Sequence, residues 1–155
     1  MVYSIIRRKS IIALGLLIFL GLMWMGCSSS VKERRDDTGV KIEDTGVGRY
    51  YFFDDVLVPR ELDYNADESF IYETPQFKTG SMLFSKWWLD APSVIDFFVY
   101  HMEKDNWKLV NSFKGKESIL NFAKPEKTCT IKVTEKWYGT TEVEIRVGPV
   151  GMKKM

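Results

Sequence analysis

The residues able to do covalent or acid–base chemistry are few. His101 is the only imidazole in 155 residues, and Cys27 and Cys129 are the only thiols. A Ser-His-Asp hydrolase would have to use His101, and no nucleophile elbow accompanies it. A Cys129–His101 thiol pair is the other arrangement to weigh. Cys129, however, alternates with Ile131 and Val133 on the apolar side of a period-two segment, where a thiolate is disfavoured. One His and one spare Cys do not make a zinc site. The adjacent carboxylates Asp54 and Asp55 lack the spaced partners of a calcium loop, and no glycine-rich phosphate loop follows a strand. The expectation is a protein with no catalytic residues, no metal ligands and no cofactor.

What remains is the chemistry of contact. Trp87 and Trp88 are adjacent in a β-favouring stretch, and neighbouring strand residues point to opposite faces. One indole should therefore meet the helix that follows, while the other is on the reverse of the sheet. An exposed Trp there, beside Tyr or Phe, would suit a sugar or a partner protein; the alternative is that the segment 50–76 covers it. Tyr50 and Tyr51 open a run of four rings, Tyr50 to Phe53. Such a run is either a docking patch for a partner or a membrane, or a lid over the open side of the core.

Position in the cell is legible near the start. Arg7-Arg8-Lys9 precedes sixteen uncharged residues, 10 to 25, rich in Ile, Leu and Met, and then Gly26-Cys27-Ser28. Basic residues beside an apolar segment resist translocation. As a helix the run would extend roughly 24 Å, short of the ~30 Å hydrocarbon core and normal for a secretion signal. Gly26-Cys27 resembles the end of a bacterial lipoprotein signal, although Trp24 and Met25 depart from the usual pattern. The resemblance implies a signal peptide over 1–26 and a lipid anchor on Cys27. With Ser28 following, it also implies the periplasmic face of the outer membrane. The alternative is an uncleaved single-pass anchor in the inner membrane.

Cleavage before Cys27 leaves 129 residues, enough for one domain. Their 19 basic and 21 acidic residues give −2, which offers no footprint for nucleic acid. Cys129 is then an odd thiol with no internal partner. Residues 27–48 read as the lipidated cysteine and a flexible linker, with an Asp-Thr-Gly-Val echo at 37–40 and 44–47. A linker of about 20 residues reaches roughly 25 Å.

The domain is expected over 49–155, beginning with an extended arm, 49–77, that contains one or two short strands. The stretch 81–88 reads as a strand. Asp90-Ala91-Pro92-Ser93 supplies a helix start, and Val94, Ile95, Phe98, His101 and Met102 recur at helical spacing, with Asn106 as terminator. Four strands should follow. In the first, Trp107, Leu109, Asn111 and Phe113 share a face; in the last, Val143, Ile145 and Val147 alternate with charge. The fold class is α+β: two layers, one long helix on an antiparallel sheet in the order β-α-β-β-β-β.

Met102 to Trp107 and Leu120-Asn121-Phe122-Ala123-Lys124 resemble small bacterial outer-membrane lipoproteins, and the element order resembles helix-grip domains that accompany envelope assembly. The resemblance implies a non-enzymatic, lipid-anchored protein-interaction or assembly accessory domain with an envelope protein partner and no nucleic acid. The competing function is a module that binds cell wall, glycan or a lipidic ligand through the sheet face and its aromatic residues.

Overall fold

The computed structural model describes residues 32–35 and 41–150. The signal segment 1–26, Cys27, the first copy of the echo and the tail from 151 lie outside the described residues. Among the described residues, ten strands and one helix make an α+β domain: β1 (Lys32–Arg35), β2 (Lys41–Asp44), β3 (Gly48–Tyr50), β4 (Leu57–Pro59), β5 (Asp63–Glu73), β6 (Lys78–Trp87), α1 (Ala91–Lys104), β7 (Lys108–Phe113), β8 (Glu117–Ala123), β9 (Lys127–Glu135) and β10 (Thr140–Pro149). The first four strands form a small sheet in sequence order. The others form a six-stranded antiparallel sheet, β5-β6-β10-β9-β8-β7.

Alternation sorts the large sheet's two faces. Met82, Phe84, Val143, Ile145, Val147, Cys129, Ile131 and Val133 are buried on the inner face. On the outer face Glu144 pairs with Lys132 and Arg146, and Glu142 pairs with Lys136. This is the pattern of an antiparallel sheet with one wet side.

Two elements cover the inner face. Helix α1 contacts β7, β9 and β4, burying Val94, Phe98 and Met102. The loop 51–56 and strand β4 add Tyr51, Phe53, Val56 and Val58 to the same core, with the Tyr51 ring 5.0 Å from Phe84 and 5.3 Å from Tyr64. The helix is closed at both ends by its own sequence. Asp90 accepts from the Ser93 N–H at 2.8 Å and from its hydroxyl at 2.6 Å. At the other end Asn106 adopts φ +64°. The Asn106 N–H donates to Glu103 C=O and the Trp107 N–H to Met102 C=O, the paired bonds of a left-handed helix stop.

The region expected as linker and arm is more structured than its composition suggests. Ile42 is buried and β2 pairs with β3, so the domain begins before Arg49 and the linker is shorter than 27–48. Residues 63–73 form one long edge strand rather than a loop and a short strand. It pairs with β6 on either side of a bulge at 66–69, where the Ser69 hydroxyl donates to Asn65 C=O at 2.5 Å and accepts the Leu83 N–H at 3.0 Å. A polar, bulged edge strand carries no clean two-residue period, so alternation could not reveal it.

Strand β7 departs differently. All six residues are exposed, and the register shifts between Leu109 and Asn111. The extra residue, Val110, turns Asn111 and Phe113 to the outer face, where Asn111 meets Asn121 at 2.7 Å.

Candidate functional site

The candidate site is built from two chain segments at one end of the large sheet. Strand β6 ends at Trp87, whose partner in β10 is Thr140. Trp87 follows Leu83 and Ser85 on the outer face and is 61% exposed, while Trp88 is 85% exposed. The expectation that one of these indoles meets the helix is therefore corrected. The alternation rule stops at Trp87, because Trp88 leaves the strand with φ +57°. The next residue, Leu89, is the one that packs against the core. Nor does the segment 50–76 cover either ring.

The second segment is the hairpin loop between β9 and β10. Gly139 donates to Lys136 C=O at 2.9 Å, and Lys136 N–H donates to Thr140 C=O at 2.8 Å. Gly139 has φ +87°, a conformation glycine adopts without steric cost. This tight loop presents Trp137, 93% exposed, and Tyr138, 41% exposed. The two segments are latched together. Trp88 N–H donates to Gly139 C=O at 2.9 Å, and Thr141 Oγ1 donates to Leu89 C=O at 2.6 Å. A side chain on Gly139 would touch the Trp88 ring at 3.4 Å. Tyr138 joins the rings, with centroids 5.8 Å from Trp87 and 5.5 Å from Trp137.

A left-handed tryptophan is an outlier. It costs about 1–2 kcal/mol relative to an ordinary backbone, and such strain concentrates at functional positions. Three exposed indoles and a phenol at one end thus combine uncompensated apolar surface with stored backbone strain. Ion pairs flank them: Lys86 with Asp63 at 3.0 Å and Lys136 with Glu142 at 2.8 Å.

Trp137 and Tyr138 are the site residues that sequence reasoning missed. The available signal was an aromatic pair inside the hairpin loop Lys136-Trp137-Tyr138-Gly139, where turn positions are ordinarily polar.

The other proposed contact residues, Tyr50 and Tyr51, are far less available. Tyr51 is buried, and Tyr50 is half-buried with its hydroxyl donating to Asp105 Oδ2 at 3.2 Å. Burial, then the Asp105 charge, pushes the Tyr50 phenol up to about 12. Tyr51 is therefore not an exposed patch, since its ring packs into the core against Phe84 and Tyr64. Tyr50 and Tyr51 line a groove of about 760 Å³ with Phe77, Lys78 and Glu126. Lys78 is already engaged there by Phe52 C=O at 3.2 Å and Glu73 at 3.1 Å.

His101 stacks 4.2 Å from Phe97 and 4.9 Å from Tyr100. Burial first, and then Lys104, hold its pKa below the ordinary value. Cys129 is fully buried and free; burial, with the Asp55 charge, pushes its thiol well above the usual range. Asp55 in turn accepts from Lys124 and from Lys127 at 2.8 Å, while its backbone C=O accepts from Trp107 Nε1 at 2.7 Å. This cluster ties the loop before β4 to the large sheet. Among the described residues no group of three or more His, Cys, Asp or Glu is placed to hold a metal. Also among them, no helix is long and apolar enough to cross a membrane.

No protein-family model, curated protein or solved structure matches this chain.

Proposed function

We propose that this chain is a non-enzymatic, lipid-anchored envelope protein that works by contact through its aromatic end. In this reading Cys27 carries the anchor at the periplasmic face of the outer membrane, and the domain presents Trp87, Trp88, Trp137 and Tyr138 as its binding surface. The observation that supports it most strongly is the exposure of three indoles held outward by a strained, hydrogen-bonded junction. Large aromatic side chains dominate binding energy where they are found in interfaces, and leaving them in water has no benefit to the fold.

The likeness to small outer-membrane lipoproteins and helix-grip assembly domains supports the same placement. The acid–base inventory agrees in kind: His101 is packed between rings, and Cys129 is shielded from any substrate.

The test uses the full chain with fluorine-labelled tryptophan. Adding cell-envelope fragments should shift or broaden the resonances of Trp87, Trp88 and Trp137 and leave buried Trp107 unchanged. Unaltered signals from all three exposed indoles would refute the reading. A parallel intact-mass measurement on membrane-extracted protein should find a chain beginning at Cys27 with acyl groups, and a Cys27→Ser control should lack them.

A further inference from the structure

We propose that the aromatic end is a bilayer-contacting tip: Trp87, Trp88, Trp137 and Tyr138 insert into the headgroup region of the membrane that holds the chain by its N-terminus. This rests on the contact reading above and names the surface contacted.

Shape is the first argument. Small-molecule sites are concave, and the grooves around Tyr50 and Phe77 and around Ile95 and Val133 are lined by other residues. The four rings are at one end of the sheet, on a strand end and a hairpin loop, and the three indoles are each more than 60% exposed. Their planes are inclined to one another, 50° between Trp87 and Tyr138 and 87° between Trp137 and Tyr138. They therefore make no flat platform on which a sugar ring would stack. Exposed rings splayed from one tip instead suit a medium that closes around them.

Residue type is the second. Indole and phenol rings join an apolar body to one polar N–H or O–H, the combination that favours the bilayer interface over either water or hydrocarbon. The cations beside them are already neutralised, Lys86 by Asp63 and Lys136 by Glu142. Partitioning of rings rather than attraction to anionic lipid would drive the contact.

The third is where the chain enters. Strand β1 begins at Lys32, opposite Asp44. Asp44 meets Arg60 at 3.5 Å, three residues before Asp63, which holds Lys86, the neighbour of Trp87. Strand β1 is thus linked, through Asp44, Arg60 and Asp63, to the strand end that carries Trp87. Four residues separate Cys27 from Lys32, five Cα steps or at most roughly 17 Å of chain. An anchor at Cys27 would keep lipid at high effective concentration around the aromatic rings.

The experiment uses the mature lipidated chain, beginning at Cys27, reconstituted into phosphatidylcholine vesicles. Intrinsic emission is compared between plain vesicles and vesicles brominated at shallow acyl positions. Brominated lipid should cut the emission by about half or more, with no change on raising the salt. The Trp87→Ser/Trp88→Ser/Trp137→Ser chain should retain only the unquenched emission of Trp107, at an unchanged urea midpoint. Equal emission in plain and brominated vesicles would overturn the proposal. Quenching only by separately added brominated vesicles would overturn the assignment to the anchoring membrane. If lipid quenching is absent while delipidated envelope still perturbs the fluorine-labelled tryptophans, the bilayer inference fails and the contact reading survives; if both are absent, both fail.

Discussion

Trp88 condenses the account at the scale of one residue. Its backbone is strained and its ring is in water, so the fold would do better without it. Trp88→Gly should therefore stabilise the domain by about 1 kcal/mol through relief of the left-handed conformation, while removing part of the contact surface. A urea midpoint that fell instead would show that the ring supports the fold. Cys129 supplies a second prediction, on pH. Its folded pKa is raised above the ordinary thiol value of 9.0 by burial, whereas the unfolded thiol keeps that value. The unfolded state therefore loses its proton first, and stability present below pH 9.0 declines as pH rises beyond it. Cys129→Val should flatten that alkaline decline, as read from urea midpoints between pH 8 and 10. The native thiol should also ignore maleimide until denaturant is added. Sequence alone revealed the burial of Cys129, because its neighbours alternate strictly. It could not reveal that both Trp87 and Trp88 are exposed, because the rule for opposite faces holds only while the strand continues.

Among the elements, the helix was the most legible and the edge strands the least. Asp90, Pro92, the Val94–Phe98–Met102 stripe and Asn106 each act locally, through a cap, a fixed torsion, a face and a left-handed stop. Their meaning survives without knowledge of the tertiary fold. Asp90→Ala should cost about 1 kcal/mol by leaving the Ser93 N–H without its cap. Hydrogen bonds from Ser93 hold the Asp90 pKa below its ordinary value of 3.8. The cap's contribution is therefore present above pH 3.8 and lost as pH falls through the depressed value, so wild type and Asp90→Ala should converge in strong acid. Edge strands β5 and β7 obey longer-range constraints. A bulge in each resets the side-chain register, and nothing in Ala66–Ser69 or at Val110 announces it. The hairpin loop of Trp137 and Tyr138 is hidden for a related reason: a glycine between two alternating strands signals a turn, and only the pairing of β6 with β10 brings its rings beside Trp87.

For the whole molecule, the α+β class followed from one amphipathic helix and several alternating strands, and these required no knowledge of how the strands pair. What the helix cannot cover, the segment 51–62 does, so the rings of Tyr51, Phe52 and Phe53 are part of the core architecture. Phe98, fully buried between helix and sheet, should cost about 3–5 kcal/mol when cut to alanine, against almost nothing for Trp137→Ala at the tip. That contrast separates the part of the protein that holds the fold from the part left free to act. The most direct test of that division is photo-crosslinking in intact cells. A photoreactive phenylalanine is placed at position 137, and a control at Lys132 on the polar outer face. The account predicts abundant adducts, to lipid or to an envelope component, at 137 and few at 132. Equal, background-level labelling at both positions would contradict it, for the aromatic end would then be meeting only water.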